Sequence, residues 1–353
     1  MLKKAAALFL VCASMATWIG CSSNSSSYLY AAIPASNEIV VYREDPNSGV
    51  LTQLTGSPIT AGPAVQSLVI HPSNKFLYAA NSGEGDVSLF TISSTGGLTE
   101  VTPRTTVGTA PTLLAMDAAG SFLYVGNAGS NNISVFSIDA STGALTAVGT
   151  PFPIGATATN MKLSPSGGVL YITVGGSPGY IEAFSLNQGV PAVVNNSPFS
   201  AGTNPIGLAI ASGGGFLYAT NFGDQSISEF TINADGSLST ISGSPIGESY
   251  SGPVALLIDK SGKYLYVANQ GSTNLAAFTI GTDGSLQLLT TSPFATATGP
   301  SVIATDSGGK YLFVGNQSSP VIQSYSLETS TGTLTSVATY GVPGTPTSIV
   351  TTP

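Results

Sequence analysis

Phe76-Leu77-Tyr78-Ala79-Ala80-Asn81 is the stretch from which the rest of the chain can be read. It returns as Phe122-Leu123-Tyr124-Val125-Gly126-Asn127, Phe216-Leu217-Tyr218-Ala219-Thr220-Asn221, Tyr264-Leu265-Tyr266-Val267-Ala268-Asn269 and Tyr311-Leu312-Phe313-Val314-Gly315-Asn316. Shortened copies stand at Tyr28-Leu29-Tyr30 and Val169-Leu170-Tyr171. The aromatic in third place falls at 30, 78, 124, 171, 218, 266 and 313, a spacing of 46 to 48 residues. Self-similarity at such a period marks a repeat architecture, and no helical periodicity interrupts it.

Each unit holds four short strand-like runs separated by turn residues. In the second unit they cover 67–70, 76–80, 87–92 and 98–101, divided by Pro72-Ser73-Asn74, Asn81-Ser82-Gly83 and Ser94-Thr95-Gly96-Gly97. Four strands at this period predict an all-β seven-bladed propeller, each blade of four antiparallel strands. The first unit begins at its second strand, whereas the chain finishes with Thr347-Ser348-Ile349-Val350-Thr351-Thr352-Pro353. That segment resembles the missing strand, so it should complete the first blade from the inside and leave no sheet edge open.

Ahead of the repeats, Lys3 and Lys4 precede an uncharged, mostly apolar stretch over 5–20, too short to span a bilayer. It ends Trp18-Ile19-Gly20-Cys21, which resembles the lipobox of bacterial lipoproteins, with Trp18 where that pattern usually has Leu. The resemblance implies a signal peptide over 1–20, a lipidated Cys21 followed by a flexible tether over 21–27, and the propeller over 28–353. The membrane is then a partner through Cys21, and the protein is exported to the cell envelope, at the outer membrane or cell surface. Cys21 is the only cysteine left after cleavage, so no intrachain disulfide is expected.

Composition narrows the function classes. Nine Lys and Arg against 17 Asp and Glu give a net charge of −8, which argues against nucleic acid as a partner. One His and two Cys leave little for a metal site, and no cofactor motif is present. Charged residues are only 7% of the chain, so 87 Ser and Thr, with the backbone, keep it hydrated.

The repeated pair built on Tyr218-Ala219-Thr220-Asn221 and Tyr266-Val267-Ala268-Asn269 resembles YVTN-type repeats. The whole array is similar to the seven-bladed lactonase propellers of the 6-phosphogluconolactonase type. Repeated residues build blades, so chemistry should sit where the repeat breaks. Lys162 stands in an innermost strand where other units have Val69, Ala115, Ala209, Leu257, Ala304 and Val350. A lone ammonium there could act as a base or grip an anion. Arg104, in Thr102-Pro103-Arg104, replaces the apolar residue that follows Ser/Thr-Pro elsewhere (Ile59, Phe152, Phe199, Ile246, Phe294), in what reads as a loop at the mouth. Glu229, in a third strand where other units have Leu89, Val135, Ala183 and Ala277, is the third catalytic candidate. Asn81, Asn127, Asn221, Asn269 and Asn316 form a ring that could contact a ligand but suits a turn-capping role better. The only histidine, His71, reads as a turn residue, and the G-x-S-x-G match over 175–179 lacks the helix and neighbouring base that would give it meaning. This reading favours a lipid-anchored binding or interaction module, with a small carbohydrate, a lactone or a protein on its loop-rich face. The alternative is a lactone hydrolase.

Overall fold

The computed structural model describes residues 27–247 and 251–352. The expected signal peptide, Cys21 and all but the last residue of the expected tether lie outside the described residues. Seven antiparallel sheets stand around one axis. We letter the strands of each blade A to D from the axis outwards. The A strands are Val65–Ile70, Pro111–Met116, Ala158–Leu163, Pro205–Ile210, Pro253–Ile258, Pro300–Thr305 and Ser348–Thr351. Each touches the next, so the innermost strands close a complete ring. The last one pairs with strand B of the first blade, Ser27–Ile33, with Ala31 opposite Ile349 and Tyr30 opposite Val350. The two ends of the chain therefore share one sheet, as the missing first strand requires.

The repeated motif is strand B. Its apolar residues face neighbouring blades on both sides, so Leu77, Tyr78, Ala79 and Ala80 have no exposed surface. The aromatic in third place reaches across to the next blade. Tyr30, Tyr78, Tyr171, Tyr218 and Tyr266 donate their hydroxyls to the carbonyls of Gly96, Gly143, Gly236, Gly284 and Gly332, at 2.7 to 2.9 Å. These glycines sit in the turns between strands C and D with positive φ. In six blades the first residue of strand B, and in blade 1 the second, lies over the same turn. A Cβ added at Gly49, Gly96, Gly143, Gly189, Gly236, Gly284 or Gly332 would come within 2.2 to 2.8 Å of Tyr311, Tyr28, Phe76, Phe122, Val169, Phe216 or Tyr264. Positive φ and this contact both demand glycine. The seventh contact, Tyr311 on Gly49, joins the last blade to the first.

The outer strand differs from expectation. In five blades strand D is short, and the Ser/Thr-Pro segment returns as a two-residue strand beside the start of strand C, as with Phe199–Ser200 next to Ile181. The apolar residue after each proline covers the blade edge there. Blade 2 instead runs one continuous strand D, Leu98–Thr106, well past the predicted end at 101.

One carboxylate is buried at the blade 1 edge. Glu44 ends strand C (Glu38–Glu44), is 2% exposed, and accepts the Ser27 hydroxyl at 2.8 Å. Burial, with Asp306 and Asp45 adding to it, pushes its carboxyl up to about 7.

Two outcomes test this architecture. Truncation after Pro346 removes the closing strand and should lower the melting temperature by several degrees or more, measured by circular dichroism; an unchanged melt contradicts closure. Glu44 binds its proton more tightly folded than unfolded, so its contribution is greatest below about pH 4.5 and is lost as pH rises through 7. Glu44→Gln should therefore melt like wild type near pH 4.5 and a few degrees higher at pH 8, since the shift corresponds to at most about 3 kcal/mol.

Candidate functional site

Lys162 is the only charged residue in the seven A strands. It pairs with Tyr171, as Val69 pairs with Tyr78 and Ala115 with Tyr124, so the structure confirms its register as an innermost-strand position. Its side chain is exposed to water. Both facts hold for a group standing in the axial channel. Among the described residues it has no ion-pair partner, and partial desolvation by the surrounding protein pulls its ammonium below the usual lysine range. Lys162 lies two residues before the A–B turn at Ser164 and about 13 Å along the strand from Ala158. It is thus nearer the face of the A–B and C–D turns than the opposite, loop-rich face.

Arg104 is not in a loop at the mouth. It occupies a bulge in the outermost strand of blade 2, where the residues between Val101 and Thr105 stand opposite the single residue between Val87 and Leu89. Thr105, rather than Arg104, takes the place that Ile59 has opposite Ile39. The shifted register turns Arg104 outward, where its Nε donates to Glu100 at 2.7 Å and its Nη1 to Glu84 at 2.8 Å, with Asp86 at 4.0 Å. The guanidinium is held by the chain's own carboxylates.

Glu229 faces Tyr218 across the sheet and is 1% exposed. Its Oε1 accepts the Leu286 amide of the next blade at 2.8 Å, while burial raises its carboxyl above the ordinary range. It fastens blade 5 to the start of strand D of blade 6. His71 is similarly consumed: Nε2 lies 3.0 Å from the Gly120 carbonyl, which places the proton there, and Nδ1 accepts from Ser73.

The five asparagines end their B strands on the loop face, and all are at most 1% exposed. Their amides work within the blade. Asn221 donates to Ser226 and Ser228, both at 2.9 Å, and its Oδ1 accepts the Gly202 amide at 3.1 Å. Asn127 makes the same set with Asn132, Ser134 and Gly108. Asn221 and Asn127 so fix the preceding loop, while Asn81, Asn269 and Asn316 donate across the B–C turn to Asp86, Asn274 and Val321. Blade 4 has Val174 at this place and fills the role from strand C, where Glu182 replaces the usual small residue and accepts the Gly155 amide at 3.1 Å. That paired exchange, Val174 for Asn and Glu182 for a small residue, is itself a break in the repeat.

The residues after the asparagines do line the mouth. Phe222, Gln270 and Gln317 occupy equivalent places in blades 5, 6 and 7. With Gln225, Ser251 and Ser318 they wall an open pocket of about 420 Å³. Gln270 donates through Nε2 to Gln317 Oε1, which orients both amides. Phe222 is 38% exposed, one of few large apolar side chains at the surface. An aromatic face beside oriented amides and hydroxyls suits a polyhydroxylated ring, whose C–H face packs on the aromatic while its hydroxyls meet the amides. Lys162 lies towards the opposite face, so the structure does not bring it together with this pocket or with Arg104. Among the described residues, no three His, Cys, Asp or Glu side chains converge as metal ligands.

Comparison with known proteins places this geometry in context. A protein from Bacteroides uniformis described as a candidate 6-phosphogluconolactonase is similar at 22% identity and a TM-score of 0.81, over 93% of this chain and 99% of that one. The periplasmic gluconolactonase PpgL of Pseudomonas aeruginosa is similar at 20% identity and a TM-score of 0.77, over 93% and 99%. These likenesses establish the shared fold. No curated protein matches the chain. The family profile described as "Lactonase, 7-bladed beta-propeller" matches residues 23–159 and 239–351, more than half of the sequence. The chain belongs to the seven-bladed lactonase propeller family.

Proposed function

We propose that this protein hydrolyses a sugar-type lactone in its axial channel, with Lys162 as the base. The observation that carries the reading is the Lys162 ammonium, water-exposed on an innermost strand and without an ion pair among the described residues, in a chain of the lactonase propeller family. A lactone is attacked by water at its carbonyl carbon. Neutral Lys162 accepts a proton from that water as the C–O bond forms. The ring C–O bond then breaks, and the protonated amine returns the proton to the departing alkoxide, giving the open hydroxy acid. The depressed ammonium supplies the neutral form at lower pH than an ordinary lysine would. The active limb should therefore rise with pH.

The Phe222 pocket favours a second reading, a module that binds a neutral sugar without turning it over. In both readings the lipobox-like sequence at Cys21 supports export and a lipid anchor at the cell envelope.

Purified mature protein assayed against a panel of sugar lactones separates the two. The hydrolase reading expects turnover above the spontaneous rate, and a loss of about 10²–10⁴-fold in kcat/KM for a folded Lys162→Met. Turnover indistinguishable from background, with sugar binding that Phe222→Ala abolishes, supports the binding module instead. Turnover untouched by Lys162→Met contradicts the assigned base.

A further inference from the structure

The repeat breaks at one more cation. Arg43 stands on strand C of blade 1, opposite Tyr28. The matching places in the other six blades hold Thr91, Ser137, Ser185, Thr231, Thr279 and Ser326. Most of those hydroxyls simply donate to a carbonyl of the adjoining strand D, as Ser185 does to Ala192 at 3.2 Å and Thr91 to Thr99 at 3.3 Å. An arginine is too long for that bond and projects from the sheet.

It projects into a cleft of about 430 Å³ between blades 1 and 2. Thr52, Gln53 and Thr55 of blade 1 form one wall, and Ser94 and Thr95 of the blade 2 turn form the other. Tyr28 lies between them, its hydroxyl donating to the Ser94 carbonyl at 3.3 Å. Every polar side chain that lines the cleft with Arg43 is a neutral hydroxyl or amide, and none is a carboxylate. The contrast with Arg104 is direct. Arg104 is held by three acids, whereas among the described residues Arg43 has no ion pair. Of the two acids that follow it in the chain, Glu44 is buried and accepts the Ser27 hydroxyl, while Asp45 gives its oxygens to the Asn47 amide and the Ser48 hydroxyl at 2.9 Å each and reaches Arg43 only as a minor through-space charge. A guanidinium offers five donors in a planar fork, and hydroxyls on two sides can add donors around a tetrahedral oxyanion.

We propose that the cleft between blades 1 and 2 binds a phosphate group through Arg43. The phosphate belongs to a soluble ester or to a phospholipid headgroup. Tyr28 in the wall of the cleft is seven residues from Cys21, and seven extended residues span at most about 25 Å. The headgroup source rests on the lipid anchor proposed above; the phosphate site itself does not.

The mature protein in non-ionic detergent is titrated calorimetrically with inorganic phosphate, and separately with micelles doped with phosphatidylglycerol. Arg43→Ser restores the residue type of the other blades, so it should keep its melting temperature. Wild type is expected to bind, and Arg43→Ser to bind at least tenfold more weakly, while Lys263→Ser on blade 6 binds like wild type. Tighter binding to the doped micelles assigns the site to a headgroup, and tighter binding to free phosphate assigns it to a soluble ester. Absence of binding to both probes, or equal binding by Arg43→Ser, overturns the proposal. None of these outcomes depends on lactone turnover.

Discussion

The fold depends on one contact made seven times: the start of a B strand laid over a glycine in the C–D turn of the next blade. Each blade is a small sheet with two apolar faces, and none could persist alone in water. The glycine lets the neighbouring turn come close enough to be covered, and the third-place tyrosine hydroxyl satisfies its carbonyl. A buried carbonyl left unpaired would cost about 1–3 kcal/mol, and most of these carbonyls are paired by a residue of the preceding blade. The ring closes through Tyr311 on Gly49 and through the shared sheet of the two chain ends. Among the described residues the ring closes without a disulfide, and the ion pairs are those of Arg104 at the edge of blade 2.

Because the same residues recur to build this contact, the architecture was legible in the sequence. The aromatic spacing gave the number of blades, and the C-terminal copy of the missing strand gave the closure. Details that depend on register were not legible. Arg104 follows a proline just as Ile59 does, yet the bulge in strand D moves it one place and turns it towards Glu84 and Glu100. Glu229 looks like an intruder in an apolar strand until the next blade is present to supply the Leu286 amide. The asparagines recur for a structural reason, and their burial rather than their repetition keeps them from the mouth.

What remains after the repeated contacts are accounted for is a short set of side chains with unspent chemistry. Among the described residues, Lys162 on its innermost strand has no carboxylate partner. Phe222, Gln270 and Gln317 vary at places where the repeat requires only a backbone bond. Arg43 replaces a small hydroxyl. Seven equivalent positions make a single departure conspicuous, and the departures fall on three separate surfaces. The scaffold tolerates them because none belongs to the aromatic–glycine contact.

The central claim, that function sits where the repeat breaks and that Lys162 is its chemical centre, is tested most directly by titrating the Lys162 amine itself. Carbon-13 labelled lysine resonances, with Lys162→Met for assignment, report its midpoint and its response to an added sugar lactone. The account predicts a midpoint below the ordinary lysine value near 10.4 and a displacement of that resonance alone by the lactone. An ordinary midpoint with no response to any lactone would contradict it.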